Sequence, residues 1–447
     1  MLRGRTGHLA RRHIAAATIG NALEFYDFLI YALFAIQIGH AFFPVSTAYG
    51  SLMLSLATFG AGFATRPIGG IVLGRYADRA GRRPAMLLCL VLIGISIAAT
   101  ALVPSYARIG IAAPIVVVIA RLVEGFSLGG EVGSNTAFLA EAASPERRGQ
   151  VVSWQNASQL MALIAGNLVG VGLTLAMPAP LLDAYGWRIA LLLGAAAVPF
   201  GLWLRIGLPE TLQSIEPETL GAAARGTAAQ PSIEARPPTG QETGLTRRHW
   251  RIMALGVVVL AAGTIANYIS TYIVTYAQQT LHLSARTGFM AELVSYAASL
   301  PVCVLGGRLS DRHGRWPINV WSNLAFLVAI YPMFAWVVAA PSAGSLIAGM
   351  TLLGVLSSLW IGSFLAALAE ALPQPVRSTG FGTVYALSIA VFGGTTQLVV
   401  TWLIHLTGSS LAPAWYLIAA TAVGQIALML FPETAPARLS TRIPQLT

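Results

Sequence analysis

The stretch GRYADRAGRR occupies residues 74–83, and nearly the same phrase, GRLSDRHGR, occupies 307–315. Each runs glycine, three residues, aspartate, arginine, one residue, glycine, arginine, and the copies start 233 residues apart, about half of the 447-residue chain. Their surroundings are very apolar: 56% of residues are hydrophobic and only 10% are charged, against roughly 25% charged in a soluble domain. A mean hydropathy of +0.70 and 45 glycines fit a bundle of membrane helices, in which small residues let helices approach closely. A window of about 20 residues, enough to span the hydrocarbon core, predicts twelve spans. They lie near 13–40, 49–74, 84–104, 111–142, 150–177, 187–207, 250–278, 288–307, 317–340, 343–370, 380–407 and 412–432. The repeated phrase therefore follows span two and span eight.

A net charge of +10 could point to nucleic acid, but its distribution excludes that. All 27 basic residues are arginine. Alternating sides from the N-terminus, 22 fall in the tails and even-to-odd connections, and only Arg108, Arg188 and Arg286 fall on the other side. This positive-inside pattern predicts that both termini and both copies of the phrase are cytoplasmic. The first apolar run is too long for a cleaved signal and carries Glu24 and Asp27, so it reads as a retained helix. Cys89 and Cys303 lie inside spans of different halves and imply no disulfide framework.

One long hydrophilic stretch, 208–249, is rich in Pro, Gly, Ala, Thr and Glu and reads as a flexible linker. The halves on either side echo each other further. EAASPERRG (141–149) after span four matches EALPQPVRSTG (370–380) after span ten, and LPET (208–211) matches FPET (431–434). Three echoes in order indicate a duplicated six-helix unit. The expected fold is an all-α membrane protein: twelve transmembrane helices in two six-helix bundles, 1–207 and 250–447, related by a pseudo-twofold axis. Two similar bundles can rock about a site held between them.

The phrase resembles the signature loop of the major facilitator superfamily. GNALEFYDFLIY (20–31), RPIGGIVLGRYADRAGRR (66–83), RLVEGFSLGGEVG (121–133), SWQNASQ (153–159), YGWRI (185–189) and VFGGTTQ (391–397) are similar to its metabolite–proton symporter family. The C-terminal half is most similar to citrate and tricarballylate carriers of that family. The resemblance implies an inner-membrane, multi-pass carrier that works as a monomer in the bilayer, takes up a small organic anion with protons, and needs no cofactor. Relatives of the same family carry betaine-like osmolytes or shikimate, and other members of the superfamily drive efflux.

Gly74 and Gly307 carry no side chain and allow helix ends to pack closely. Asp78 and Asp311 can accept hydrogen bonds from a neighbouring helix N-terminus, where the dipole favours an anion. Arg79, Arg82 and Arg312 can pair with Glu141 and Glu370 at the ends of spans four and ten, with Gly81 in the turn. The resemblance implies that this network latches the cytoplasmic side in the outward-facing state; the plainer reading is a solvated basic loop. The second copy ends Arg315-Trp316 where the first has Arg82-Arg83, which predicts a weaker second latch.

Charges inside spans are costly to bury unpaired and are functional candidates. Span one carries Glu24 and Asp27, span two Arg66, and span four Arg121, Glu124 and Glu131. Arg121, Glu124, Glu131 and Asn135 share one helical face, and Gly125, Gly129 and Gly133 form a smooth stripe beside it. Arg121 can simply neutralise Glu124 one turn away. In related sugar–proton symporters an acid on the first helix pairs with an arginine on the fourth, which makes Asp27 the first choice for the proton carrier, with Glu24, Glu131 and Glu124 as alternatives. Protonating Asp27 would free Arg121 for a substrate carboxylate. Arg66 can assist, or only hold the inner end of span two before Pro67. The C-terminal half offers neutral polarity, with Asn267, Tyr272 and Gln397 beside Gln159 of span five; these suit hydroxyl and carboxylate groups, though Tyr and Gln also anchor span ends.

Gly125-Phe-Ser127-Leu-Gly129 fits the hydrolase pattern G-x-S-x-G, but that elbow needs a strand before a sharp turn, and here it lies in an apolar helix. No metal-ligand cluster or phosphate loop is apparent, and the chain does not read as an enzyme. A non-transporting sensor on the same fold would carry large extensions, and this chain has short tails.

Overall fold

The computed structural model describes residues 18–19, 21–22, 25–26, 29–45, 47–80, 82–129, 132, 136, 139–140, 143–206, 246–373 and 377–439. All regular structure among them is helical. The helices used below are α1 (Ala35–Phe42, the end of span one), α2 (Ala48–Ala64), α3 (Arg66–Ala80), α4 (Arg82–Leu102), α5 (Ala112–Leu128), α6 (Arg148–Ala176) and α7 (Trp187–Ile206). The second half supplies α8 (Arg247–Gln279), α9 (Ala285–His313), α10 (Arg315–Ala339), α11 (Ala343–Ala371), α12 (Arg377–Thr407) and α13 (Ala412–Leu430). Among the described residues nine helices are long and apolar enough to cross a membrane, with Leu87–Leu102 a shorter apolar one. The linker expected at 208–249 lies almost wholly outside the described residues; α8 begins inside it, at Arg247.

Local chemistry sets several boundaries. Thr47 caps α2 by accepting from the Gly50 N–H (3.1 Å), Ser284 caps α9 from the Thr287 N–H (3.2 Å), and Ser342 caps α11 from the Ser345 N–H (3.1 Å). Span two is broken at Thr65, because Pro67 has no N–H to continue the ladder. The Thr65 hydroxyl donates instead to the Leu122 carbonyl of α5 (2.7 Å).

Two glycines of the span-four stripe, Gly125 and Gly129, pack as its spacing predicts, and Gly133 lies outside the described residues. A methyl on Gly125 would overlap the Gly62 carbonyl oxygen, one on Gly129 the Arg66 carbonyl, and one on Gly69 the Phe126 carbonyl. These overlaps are with backbone, which cannot step aside as a side chain can. Gly125→Ala should therefore lower stability by about 1–3 kcal/mol, read as a lower unfolding temperature in detergent. An unchanged temperature would mean that the helices separate at no cost.

The duplication is visible in matching bonds. Arg148 Nε donates to the Ala140 carbonyl (2.9 Å), and Arg377 Nε donates to the Ala369 carbonyl (2.7 Å), the same bond at the same place in each half. The seams between halves match too. α9 packs along α6, and α2 packs along α12; spans eight and two occupy equivalent places, as do spans five and eleven. This is the pseudo-twofold arrangement of two six-helix bundles. Outward faces are apolar, with Ile95, Ile119, Trp321 and Ile426 exposed, as a lipid-facing surface requires.

Candidate functional site

α6 and α9 run antiparallel, and their contacts climb in register. At the end nearest the linker, Asp311 Oδ1 accepts from the Gly149 N–H (2.8 Å) and Oδ2 from the Gln150 N–H (2.9 Å). These donors belong to the first turn of α6, which has no intrahelical acceptors for them. Gly149 and Gly307 face each other so closely that a methyl on either would strike the other's carbonyl. Higher up, Asn156 Nδ2 donates to Cys303 Sγ (3.4 Å). Still higher, Asn167 Nδ2 donates to Glu292 Oε2 (3.0 Å). A methyl on Gly170 would enter the Phe289 ring.

The second copy of the phrase is fully engaged, and its main cation is Arg315 rather than the expected Arg312. Arg315 is fully buried. It donates to Ser310 Oγ (2.6 Å) and to both Glu370 oxygens (3.1 and 3.0 Å), and its Nη1 lies 2.8 Å from Asp311 Oδ1. Glu370 also accepts from Thr434 Oγ1 (2.9 Å) and stands 3.7 Å from Arg148 across the seam. Glu433, from the FPET echo, caps α10: its oxygens accept from the Arg315 and Trp316 N–H groups (2.9 and 3.0 Å). Arg312 is exposed and lines a groove with Arg147 and Arg308. On its rim a backbone hydrogen bond, then the Ser144 hydroxyl, hold the Glu146 carboxyl below its usual range. In the first copy, α3 covers Gly74, Asp78 and Arg79, and α4 starts at Arg82. Those three charged side chains, and all of Gly81 and Glu141, lie outside the described residues.

Between the two ends of the seam lies a cavity of about 110 Å³. Its polar lining includes Asn156 and Gln159 of α6, Asn267 and Tyr268 of α8, Ser299 of α9 and Tyr385 of α12. Gln159 Nε2 donates to the Tyr385 hydroxyl across the halves (3.2 Å). Tyr272 and Gln397 are buried just outside the lining: the Tyr272 hydroxyl accepts from Thr401 (2.9 Å), and Gln397 Nε2 donates to the Tyr268 carbonyl (3.4 Å). Serines of α9 and α11, among them Ser299 and Ser358, also reach the cavity; no pattern in the sequence had marked spans eight and ten.

Arg121 and Glu124 form a buried pair, Nη1 to Oε2 at 2.7 Å. The Arg121 guanidinium lies over the rings of Tyr31 (4.6 Å) and Phe59 (5.4 Å), and that of Arg66 over Phe63 (4.3 Å). Phe59 and Phe63 in turn meet Tyr268 edge-on, with centroids at 6.0 and 5.4 Å. The two arginines therefore share an aromatic cluster with one wall of the cavity. Glu24, Asp27 and Glu131 lie outside the described residues.

Glu292 is the acid that sequence reasoning passed over. It is buried in the half that was read as supplying neutral polarity. Its signal was plain: one carboxyl in the apolar run GFMAELVSYAASL.

The profile of the Major Facilitator Superfamily matches residues 17–394. The chain is 34% identical over 420 residues to the citrate-proton symporter of Salmonella typhi, covering 94% of this chain and 93% of that one. It is 30% identical over 442 residues to the proline/betaine transporter of Escherichia coli strain K12, covering 97% and 86%. Among solved structures, the crystal structure of a D-xylose-proton symporter superposes with a TM-score of 0.75 at 17% identity, over 95% of this chain and 98% of that one. The paired bundles, the repeated phrase in each half and the match along most of the sequence lead to one statement: this chain is a membrane transporter, not an enzyme, and belongs to the major facilitator superfamily.

Proposed function

We propose that the chain imports a small organic anion, a citrate-like di- or tricarboxylate, together with protons. Its halves, 1–207 and 250–447, would rock about the central cavity, with 208–249 on the cytoplasmic side of the inner membrane. The observation that carries this reading is the placement of two buried arginines, Arg121 and Arg66, beside a neutral, amide- and hydroxyl-lined cavity between the halves. Guanidinium forks suit carboxylates, and Gln159, Asn267 and Tyr385 supply neutral partners for the remaining oxygens. The citrate-proton symporter among the relatives supports the same substrate class.

An anion must enter against a negative interior, at about 2.3 kcal/mol per charge per 100 mV, so protons must accompany it. We assign the proton first to Asp27, with Glu24, Glu131 and Glu124 next. The Arg121–Glu124 contact supports a proton-gated arginine: neutralising the acid that holds it frees the fork for substrate. At the linker end, the bonds among Asp311, Arg315 and Glu370 support a cytoplasmic latch.

A second reading is uptake of a betaine-like osmolyte, favoured by the proline/betaine relative. A quaternary ammonium would need free aromatic faces. Phe25, Tyr268, Tyr296 and Tyr385 in the cavity wall could offer such faces; the two buried arginines beside the cavity favour the anion.

Proteoliposomes under an imposed inward proton gradient should accumulate labelled citrate or tricarballylate. A clear preference for glycine betaine over citrate would overturn the assignment. Loaded solute expelled under the same inward proton gradient would indicate proton-driven efflux, and no flux of any solute would indicate a sensor. Asp27→Asn should abolish uphill accumulation yet spare solute-for-solute exchange, because asparagine mimics the protonated acid. If that variant still concentrates substrate, another acid carries the proton.

A further inference from the structure

We propose that Glu292 is a second proton-binding site, built into the seam between the halves, and that binding its proton closes the seam at the end remote from the linker. The inference rests on the proton-coupled reading above.

The geometry is specific. Glu292 sits seven residues inside the start of α9, so it lies about 10 Å below that end of the helix. It is 2% exposed. Asn167 of α6, in the other half, is fully buried and donates to Glu292 Oε2 at 3.0 Å. Glu292 Oε1 and Asn167 Oδ1 are both buried and have no hydrogen-bond partner among the described residues. One turn outward, Phe289 packs on Gly170 and on Phe34 (centroids 5.3 Å) and closes the seam with apolar surface. One turn inward, Tyr296 is buried and lines the cavity. Glu292 thus stands between the outer plug and the cavity.

The groups that face it are neutral. α6 presents Asn167, α8 presents the backbone at Val274, and α9 presents Tyr296 one turn on. No charged side chain among the described residues forms an ion pair with it. A carboxylate shut in such a place without a cation is costly, whereas the neutral acid needs only hydrogen bonds. Protonation would give the carboxyl an O–H donor, and Asn167, already bonded to Oε2, keeps an unused acceptor in Oδ1. When the seam opens, water reaches the carboxyl and the ionised form is tolerated. Protonation from the outer solution therefore favours closure, and closure traps the proton next to Tyr296 and the cavity. From there it can leave when the linker end opens. This ordering is what import with protons requires: load, shut the outer side, release inside.

The test needs no substrate. A cysteine at Thr174, one turn outward from Gly170 on α6, would report seam opening through its reaction with a membrane-impermeant thiol reagent. Cys89 and Cys303 are buried, and the protein without the added cysteine gives the background. Labelling of Thr174→Cys, divided at each pH by the same reagent's rate with a free thiol so that ionisation of the cysteine itself cancels, should slow by about fivefold or more between about pH 8 and pH 5, as a protonation-driven shift between two states predicts. Adding Glu292→Gln, which keeps a neutral group and cannot ionise, should leave labelling slow at every pH. Glu292→Asp should restore the pH dependence with a displaced midpoint. In proteoliposomes Glu292→Gln should lose uphill accumulation while retaining exchange. A pH dependence that persists in Glu292→Gln would overturn the proposal and assign the effect to another group at that end, such as His405 stacked on Tyr49 (4.0 Å). Failure of the wild type to accumulate solute with protons would overturn the transport reading alone, because the labelling readout stands apart from it. Gel filtration of each variant identifies a protein that has failed to fold, and Glu292→Asp then carries the decision: flat labelling across pH in that folded variant also overturns the proposal.

Discussion

Arg315→Ala is expected to destabilise the folded protein by about 3–5 kcal/mol, the range for breaking a buried ion pair by removing one partner. Asp311 and Glu370 would be left buried without their main cation, since the remaining one, Arg148, stands 3.7 Å from Glu370. The Ser310 hydroxyl and three charge-assisted contacts are lost in the same step. The measurement is the unfolding temperature in detergent, with Arg315→Lys as a comparison. Lysine keeps the charge but not the fork, and should recover part of the loss. A joint change of Arg315→Leu and Glu370→Leu should cost less than Arg315→Ala alone, because no Glu370 charge is stranded. An Arg315→Ala protein that melts with the wild type would show that water, not arginine, satisfies the acids. The same variant should also expose the linker end, seen as faster labelling of a cysteine placed at Gln150.

Arg121→Lys is expected to weaken citrate binding by more than tenfold, about 1.4 kcal/mol. Among the described residues, the guanidinium makes a 2.7 Å bond to Glu124 and lies over the rings of Tyr31 and Phe59. A lysine ammonium reaches one partner as a point charge and cannot lie flat between rings. Arg121→Leu should remove uptake altogether and leave Glu124 uncompensated. Isothermal titration of the purified protein with citrate checks the first, and the proteoliposome assay checks the second. Citrate binding unchanged in Arg121→Lys would move the anion site away from span four. Glu124→Gln should have the opposite sign for binding, because it frees the fork.

The spans were legible because twenty-residue apolar runs leave few alternatives. The predicted 150–177 became Arg148–Ala176, and 412–432 became Ala412–Leu430. The break in span two was written at Pro67 but overlooked, since hydropathy does not register a missing N–H. Glycine spacing showed that span four would pack tightly, but not against which helix; that took the contacts with Gly62, Arg66 and Phe126. Asp311 was named as a helix-end acceptor, yet its donors on α6 belong to the other half, and no periodicity within one helix reveals a facing helix. Arg315 escaped because the second phrase was compared with the first at Trp316, when the matching position was the arginine before it. Glu292 was legible as a lone charge in an apolar span, but its pairing with Asn167 appears only when α6 and α9 are laid antiparallel.

That antiparallel seam works as a beam on a fulcrum. The bonds at Gly149 and at Asn167 lie eighteen residues apart on one helix, about 27 Å. A tilt of about 15° about the midpoint would part either end by about 3–4 Å, beyond any hydrogen bond, while pressing the opposite end together. Strength at one end is therefore leverage against the other, and transport requires the two to be nearly balanced. A change that loosens the linker end, such as Arg315→Lys, should be offset by one that loosens the far end, such as Asn167→Ala. Selection for regained growth on citrate should recover such suppressors about 27 Å away rather than beside the original lesion.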